Sequence, residues 1–199
     1  LLLSDNATSF DYIKLKTRFW RVNFSHIIGS LIQFPRIIDQ VSNNEPGDKK
    51  RFANKYIAAH RLEINLGKGV NVGLQESVVY GQRGLELAYV NPVMFLRSAE
   101  HYLGDQDNAL MGIDITLNPY KGIKIYNEFL MDDVFIKKLG TKWWGNKFAY
   151  HTSLYWVDPI GFKNTSIRLE YTKIKPFVYS HRFPINVYKH YNSSLGNSM

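Results

Sequence analysis

The sequence predicts an all-β protein: an antiparallel up-and-down transmembrane β-barrel, with residues 1–199 forming a single domain. Three observations lead to this prediction. Apolar and polar residues alternate with a period of two over several segments, which is typical of strands with two unlike faces. Turn-forming residues separate these segments, whereas a helical period of 3.6 is hard to find. Short and long connections also alternate along the chain, as they do in an up-and-down barrel.

The clearest strand pair is a hairpin with Gly67-Lys68-Gly69 at its turn. Glycines supply the positive φ angles that tight hairpin turns need. The strand over residues 55–66 has two faces, with His60, Leu62, Ile64 and Leu66 on one and Ala59, Arg61, Glu63 and Asn65 on the other. The alternation resumes after the turn, with Val70, Val72 and Leu74 against Asn71, Gly73 and Gln75. An earlier strand is predicted near residues 17–28.

Two more strand pairs are predicted downstream. The first runs through Met111, Ile113, Ile115 and Leu117, turns at 118–122, and returns through Ile123, Ile125 and Phe129. The second runs from Phe148 to Trp156, turns at 158–165, and returns through Ile167, Leu169 and Tyr171. A weak strand is predicted near 183–190. Together these segments give about eight strands, at roughly 10–12 residues per strand plus its turn.

Strand length and loop lengths favour a membrane barrel over a soluble sandwich. The predicted strands are roughly 9–12 residues long, while globular strands average about 5–6 and membrane strands need about 9–11. Long connections at 29–54, 81–108 and 132–147 interleave with the short turns. Several aromatic residues fall near strand ends, where interfacial girdles lie: Tyr80, Trp143, Trp144, Phe148, Trp156 and Phe162. One face of the strands is charged, which fits a water-facing lumen: Arg61, Glu63, Asp114, Lys124, Glu128, Arg168 and Glu170.

Composition excludes several classes of protein. The chain has no cysteine, so it has no disulfide scaffold, thiolate zinc site or thiol nucleophile. No apolar run approaches the roughly 18 residues of a membrane-spanning helix. The formal charge of +8 invites a nucleic-acid partner, but no nucleic-acid-binding motif accompanies the basic clusters, which are Lys14, Lys16, Arg18 and Arg21, and then Lys49, Lys50 and Arg51. We therefore expect no nucleic-acid partner.

The segment around the long connection 81–108 resembles the Wzi-type capsule-assembly family. The resemblance is carried by YIAAHRLEI at 56–64, VGLQESVVYG at 72–81, ELAYVNPVMF at 86–95, AEHYLGDQDNALMGID at 99–114 and YNEFLMDD at 126–133. Members of that family are outer-membrane β-barrels of Gram-negative bacteria that help to hold capsular polysaccharide at the cell surface. The resemblance implies a barrel larger than eight strands. It therefore predicts that this chain is the C-terminal portion of a longer protein and lacks the last strands. A complete eight-stranded barrel is the competing interpretation.

No catalytic or cofactor motif emerges from the sequence. Asp105-Gln106-Asp107-Asn108 has the alternating oxygens that calcium prefers, but the EF-hand positions for Gly and Glu hold Leu110 and Thr116. Glu86, Glu100 and Asp105 could supply a glycosidase pair, and His190 with Asn192 to Ser194 has the composition of a phospholipase triad. Nothing in the spacing supports either site. The sequence therefore predicts no catalytic residue, no metal and no cofactor.

Carbohydrate binding is the function that the long loops fit best. Sugars stack on aromatic rings flanked by hydrogen-bonding groups, and basic charge suits an acidic polysaccharide. The candidate aromatic residues are Tyr80, Tyr89, Tyr102, Trp143 and Trp144, and the candidate polar residues are Arg83, Glu86, His101, Asp105 and Asn108. The prediction is an outer-membrane protein with lipid and surface or capsular polysaccharide as partners. A porin-like channel for small solutes and a soluble lipocalin-like binding protein or envelope enzyme are the alternatives.

Overall fold

The computed structural model describes residues 8–33, 53–133, 136–138, 141, 143 and 145–196. In this part of the chain, eight strands form one antiparallel sheet in sequence order. The strands are β1 (Tyr12–Phe19), β2 (Val22–Leu31), β3 (Lys55–Gly67), β4 (Val70–Gly81), β5 (Asn108–Leu117), β6 (Ile123–Met131), β7 (Phe148–Val157) and β8 (Ser166–Ile174). The prediction of an all-β, up-and-down arrangement is confirmed. Among the described residues β1 and β8 do not pair, so these eight strands form an open sheet.

The remaining elements are short. Helices α1 (Leu87–Val90) and α2 (Leu96–Tyr102) lie in the connection between β4 and β5. Strands β9 (Lys189–His190) and β10 (Ser193–Ser194) pair with each other near the C-terminus. Single 3₁₀ turns lie at Ile136–Lys138, Pro159–Gly161 and Pro184–Asn186. None of the helices in the described ranges is long and apolar enough to cross a membrane.

Two strand predictions were wrong. The single strand expected near 17–28 is a hairpin of β1 and β2, which turns at Trp20-Arg21 with Phe19 paired to Val22. Trp20 has a φ of 50°, and the Arg21 guanidinium lies 5.0 Å from its ring centroid. The chain bends there without the Gly, Asn or Pro that marks most turns. The weak strand expected near 183–190 is a 3₁₀ turn followed by the two residues of β9.

The predicted hairpin at Gly67-Lys68-Gly69 is present, and its glycines have a structural reason. Gly67 and Gly69 have φ angles of 83° and 78°, which glycine adopts without a steric cost. A Cβ on Gly69 would also overlap the carbonyl group of Asn118 in the next turn. The turns at 118–122 and 158–165 are likewise where the alternation predicted them.

The sheet has a polar face, on which all seven charged residues of the predicted lumen wall lie. Arg61 forms a bidentate ion pair with Asp114, with Nη2 2.8 Å from Oδ1. Gly73 lies between them, and a Cβ at that position would overlap both side chains. Gln75 Nε2 donates to Glu128 Oε1 at 3.0 Å. Arg61, Asp114 and Glu128 are therefore joined to side chains on other strands.

The opposite face, here called the apolar face, exposes large hydrophobic side chains. They come from β1, β4, β5, β7 and β8: Ile13, Leu15, Phe19, Leu74, Ile113, Ile115, Tyr150, Ile167, Leu169 and Tyr171. A soluble monomer rarely exposes a continuous apolar surface of this extent. The register places these residues on alternate positions of neighbouring strands, so they share one side of the sheet.

At the end of the sheet that carries the long connections, here called the rim, both faces are covered. Helices α1 and α2 pack on the apolar face, where Tyr89 and Leu96 are fully buried against Ala58, Val78 and Tyr80. The C-terminal segment 175–196 packs on the polar face, where its fully buried Tyr188 joins a cluster formed by the rim ends of β2 to β7. The hydrophobic core is therefore concentrated at the rim.

Candidate functional site

A groove of about 920 Å³ opens at the rim. Helix α2 and the start of β5 form one wall, and residues 177–182 of the C-terminal segment form the third. The second wall is formed by described residues of the connection between β6 and β7, namely Asp132, Asp133, Trp143, Gly145 and Lys147. This rim groove is the place where two of the predicted binding loops meet. The third predicted loop, 29–54, lies mostly outside the described residues.

Behind the first wall, a buried carboxylate fixes the connection between β4 and β5. Asp107 accepts hydrogen bonds from Arg83 Nη1 at 2.9 Å and Nη2 at 2.5 Å, and from the Tyr89 hydroxyl at 2.6 Å. Arg83 Nε also lies 3.6 Å from Glu86 Oε2. Burial, and then the Asp107 carboxylate, raise the pKa of Tyr89, so its hydroxyl stays a donor. This network fixes the connection behind the first wall of the groove.

The first wall itself has one buried and one exposed ion pair. Glu100 is buried, with Arg97 Nη1 3.1 Å from its Oε2, and burial raises the pKa of Glu100 to about 7 against the opposing effect of Arg97. His101 and Asp105 form an exposed pair at 3.0 Å. The hydrogen bond from His101 lowers the pKa of Asp105. The wall therefore presents hydrogen-bonding groups from Arg97, His101 and Asp105 to the groove.

The second wall is organised around Lys147. Its Nζ lies 2.8 Å from Asp133 Oδ2 and 3.9 Å from Asp132 Oδ1. Asp132 also accepts a hydrogen bond from the Tyr179 backbone N–H at 2.7 Å, which ties the C-terminal segment to this wall. Burial raises the pKa of Asp132 to about 7, although Lys147 opposes the change. Asp132 is thus a structural group, while Asp133 is accessible from the groove.

Two aromatic rings complete the groove. Trp143 lies against the backbone of Gly145, where a Cβ would overlap the indole ring. Lys138 Nζ lies 4.5 Å from the Trp143 ring centroid, a cation–π geometry. Phe177, on the third wall, is largely exposed. Both residues line the groove and offer flat apolar surfaces beside the charged groups.

The charge of the groove differs from that of the whole chain. Among the described residues, its lining has three cationic side chains, Arg97, Lys147 and Arg182, against five carboxylates at positions 100, 105, 107, 132 and 133. Most of these charges are paired with each other. The basic excess of the sequence therefore does not lie in this groove. The arrangement suits a ligand with many hydroxyl groups better than one selected by negative charge.

The predicted site residues fall into four groups. His101, Asp105, Asn108 and Trp143 line the groove. Tyr80 is fully buried beneath α1, and Tyr89 is the fully buried residue of α1 that packs against it. Arg83 and Glu86 belong to the ion-pair network beside them, so these four residues support the groove from behind. Tyr102 is exposed but is not part of the lining. Trp144 lies outside the described residues.

Sequence reasoning missed the groove residues of the C-terminal segment. Phe177, His181 and Arg182 line the third wall, and Arg182 Nη2 donates to the Asp105 backbone carbonyl at 3.2 Å. No local pattern marks them, because their position depends on the chain crossing back over the polar face. The sequence feature that could have pointed to this segment is the apolar run Phe-Val-Tyr at 177–179, which lies outside the strands of period two.

The described part of the chain brings together no cluster of three or more His, Asp or Glu residues that could hold a metal ion. Asp105 and Asp107, which suggested calcium in the sequence, point to different partners, His101 and Arg83. Comparison with known proteins finds no matching family model, no matching curated protein and no matching solved structure. The family resemblance in the sequence therefore stays a prediction.

Proposed function

We propose that this chain forms part of the wall of an outer-membrane β-barrel of the capsule-assembly type, and that its rim groove binds surface polysaccharide without catalysing a reaction. The rim groove is the observation that carries the proposal, because it combines accessible aromatic rings with fixed hydrogen-bond donors and acceptors. Such a combination is what recognition of a polyhydroxyl polymer needs. Many weak contacts of this kind along one polymer add up to firm retention.

The two unlike faces of the sheet support the membrane part of the proposal. The apolar face presents large hydrophobic side chains at alternate positions, and the polar face carries linked charges such as Arg61 and Asp114. Seven of the eight strands, β2 to β8, have 9 to 13 residues, which is long enough to cross a bilayer, and β1 has 8. Barrel walls in outer membranes alternate in this way, with apolar residues toward lipid and polar residues toward the lumen.

The groove supports glycan binding at the rim. Trp143 and Phe177 can stack against the apolar faces of sugar rings, while Arg97, His101 and Asp105 can exchange hydrogen bonds with hydroxyl groups. A volume of about 920 Å³ is at the upper end of what ligand pockets offer, and the groove is open. An open groove lets a polymer pass through instead of enclosing a small molecule.

The carboxylates of the groove support binding over hydrolysis. Glu100, Asp107 and Asp132 are buried and each is held by a cationic side chain. A glycosidase needs two carboxyl groups that can both reach the scissile bond. Asp105 and Asp133 are the accessible ones, and they belong to ion pairs on different walls.

Structural features argue against both alternative functions. A channel needs a free path along the polar face, but the C-terminal segment 175–196 packs across that face at the rim. Tyr188, for example, is fully buried there, with its hydroxyl 2.9 Å from Ser77 Oγ. A soluble binding protein would leave the apolar face in contact with water, which is unfavourable.

Binding of purified capsular polysaccharide tests the proposal. The protein in detergent micelles is titrated with the polymer while tryptophan fluorescence and heat release are followed. We expect Trp143→Ala to weaken binding by about tenfold, which corresponds to about 1.4 kcal/mol for one aromatic contact. Trp20→Ala is the matched control, since Trp20 also has a cation over its ring but lies at the other end of the sheet. No binding by the wild type, or equal weakening by both variants, would contradict the proposal.

A further inference from the structure

The segment 85–102, which contains α1 and α2, exposes many large apolar side chains. Val93 is 85% exposed, Phe95 69% and Leu87 79%. Leu85, Val90, Met94 and Tyr102 are exposed as well. Isolated exposed hydrophobic residues are ordinary, but seven within 18 residues form an unusual concentration. This surface is unexplained by the groove, whose α2 wall is formed by Arg97, Glu100 and His101.

The side of this segment that packs on the sheet covers a row of polar residues, which interrupts the apolar face on β2 to β4. His26, His60 and Glu76 lie in one cross-strand row on that face. His60 Nε2 is 3.0 Å from Glu76 Oε2, and the Leu96 backbone N–H at the start of α2 donates to the same oxygen at 2.8 Å. The segment thus removes titratable side chains from the outer surface of the sheet and replaces them with its own apolar residues.

The charged residues of the segment point elsewhere. Arg97, Glu100 and His101 line the groove, and Glu86 pairs with Arg83. One side of the segment therefore belongs to the polar groove, and the other presents Leu87, Val93 and Phe95. This division is the one expected for an element that lies in the plane of a membrane interface.

We propose that the segment 85–102 lies in the membrane–water interface, with its exposed apolar side chains inserted among lipid acyl chains. The inference rests on the proposed function, because it needs the apolar face of the sheet to face lipid. We assign lipid as the partner of this surface because the segment packs directly on the face that carries Leu74 and Ile113. Lipid that reaches those two residues therefore also reaches the segment. The groove would then stand at the membrane surface, held there by α1 and α2.

Lipid-specific quenching tests this placement. The chain has no cysteine, so Val93→Cys and Phe95→Cys each give a single site for a bimane fluorophore. Labelled protein is reconstituted into phosphatidylcholine vesicles with and without brominated acyl chains. Leu74→Cys reports the apolar face of the sheet, and His101→Cys reports the groove side of the same segment. We expect at least twofold quenching at positions 93, 95 and 74, and little change at position 101.

The two control positions separate failure of this inference from failure of the proposed function. Quenching at Leu74→Cys without quenching at positions 93 and 95 would overturn the inference and leave the membrane proposal standing. The same result would follow if a second copy of the chain covered the segment, because protein would then shield the fluorophores from brominated lipid. Absence of quenching at all four positions would overturn the membrane proposal and the inference together.

Discussion

Replacing Asp107 by Asn should release the connection between β4 and β5 from the sheet. Asp107 holds Arg83 through two hydrogen bonds and the Tyr89 hydroxyl through a third. Its side chain is only 1% exposed, so water cannot substitute for the lost contacts. Asn has nearly the same shape but removes the charge and points an N–H group at one of these donors.

The expected cost follows from these contacts. Hydrogen bonds to a charged group contribute about 1.5 to 3 kcal/mol, and breaking a fully buried ion pair costs about 3 to 5 kcal/mol. The Arg83 side chain is 34% exposed, and water therefore recovers part of the loss. We expect the connection to be destabilised by about 2 to 3 kcal/mol, which raises the population of its open form by about 30- to 150-fold.

Limited trypsin digestion measures this population, since cleavage after Arg83 and Arg97 requires the connection to open. Asp105→Asn is the matched control: Asp105 is 53% exposed and its ion-pair partner, His101, is 80% exposed, so loss of this charge should change the rate less than about threefold. Asn also tolerates the φ of 54° at that position. Wild-type cleavage rates in Asp107→Asn, or equal rates in both variants, would show that Asp107 does not hold this connection on the sheet.

Three further predictions concern the groove and the C-terminal segment. In the folded state the pKa of Asp132 is raised from 3.8 to about 7, so the folded protein binds this proton more tightly than the unfolded chain does. The resulting contribution to the free energy of unfolding is largest at low pH and is lost as pH rises from about 4 to 7. Urea unfolding of wild type and Asp132→Asn should therefore give a stability difference that changes in this window, by at most about 4 kcal/mol, whereas a constant difference would contradict the assignment. Gly145→Ala should displace the Trp143 ring and weaken polysaccharide binding about as much as Trp143→Ala, without loss of folded protein by circular dichroism. Tyr188→Phe should lower the free energy of unfolding by about 1 kcal/mol, because the buried Ser77 hydroxyl loses its partner; an unchanged urea midpoint would refute this.

Most of the sheet could be predicted from the sequence, because each strand carries its own evidence in the period of two. The alternation located β3 to β8 and divided their residues correctly between the two faces. It failed at Trp20-Arg21, where a tryptophan adopts a positive φ and no turn-forming residue marks the bend. The covering of both faces at the rim could not be predicted, because the covering segments lack a strand pattern and their packing depends on tertiary contacts.

The candidate site was predictable in part for the same reason. His101 and Asp105 were found because the composition of a long loop is visible in the sequence. Tyr80 was misjudged as a surface residue because α1 covers the rim end of β4 only in the folded chain. Phe177 and Arg182 were missed, since the groove exists only where the C-terminal segment returns to the start of β5.

The central claim, that one face of the sheet meets lipid and the other meets water, can be measured directly along β8. Spin labels at single cysteines from 167 to 172 report collisions with oxygen, which concentrates in lipid, and with a water-soluble nickel chelate. In vesicles, we expect a period of two: oxygen contact highest at Ile167, Leu169 and Tyr171, and nickel contact highest at Arg168, Glu170 and Thr172. High nickel contact at all six positions would contradict the claim.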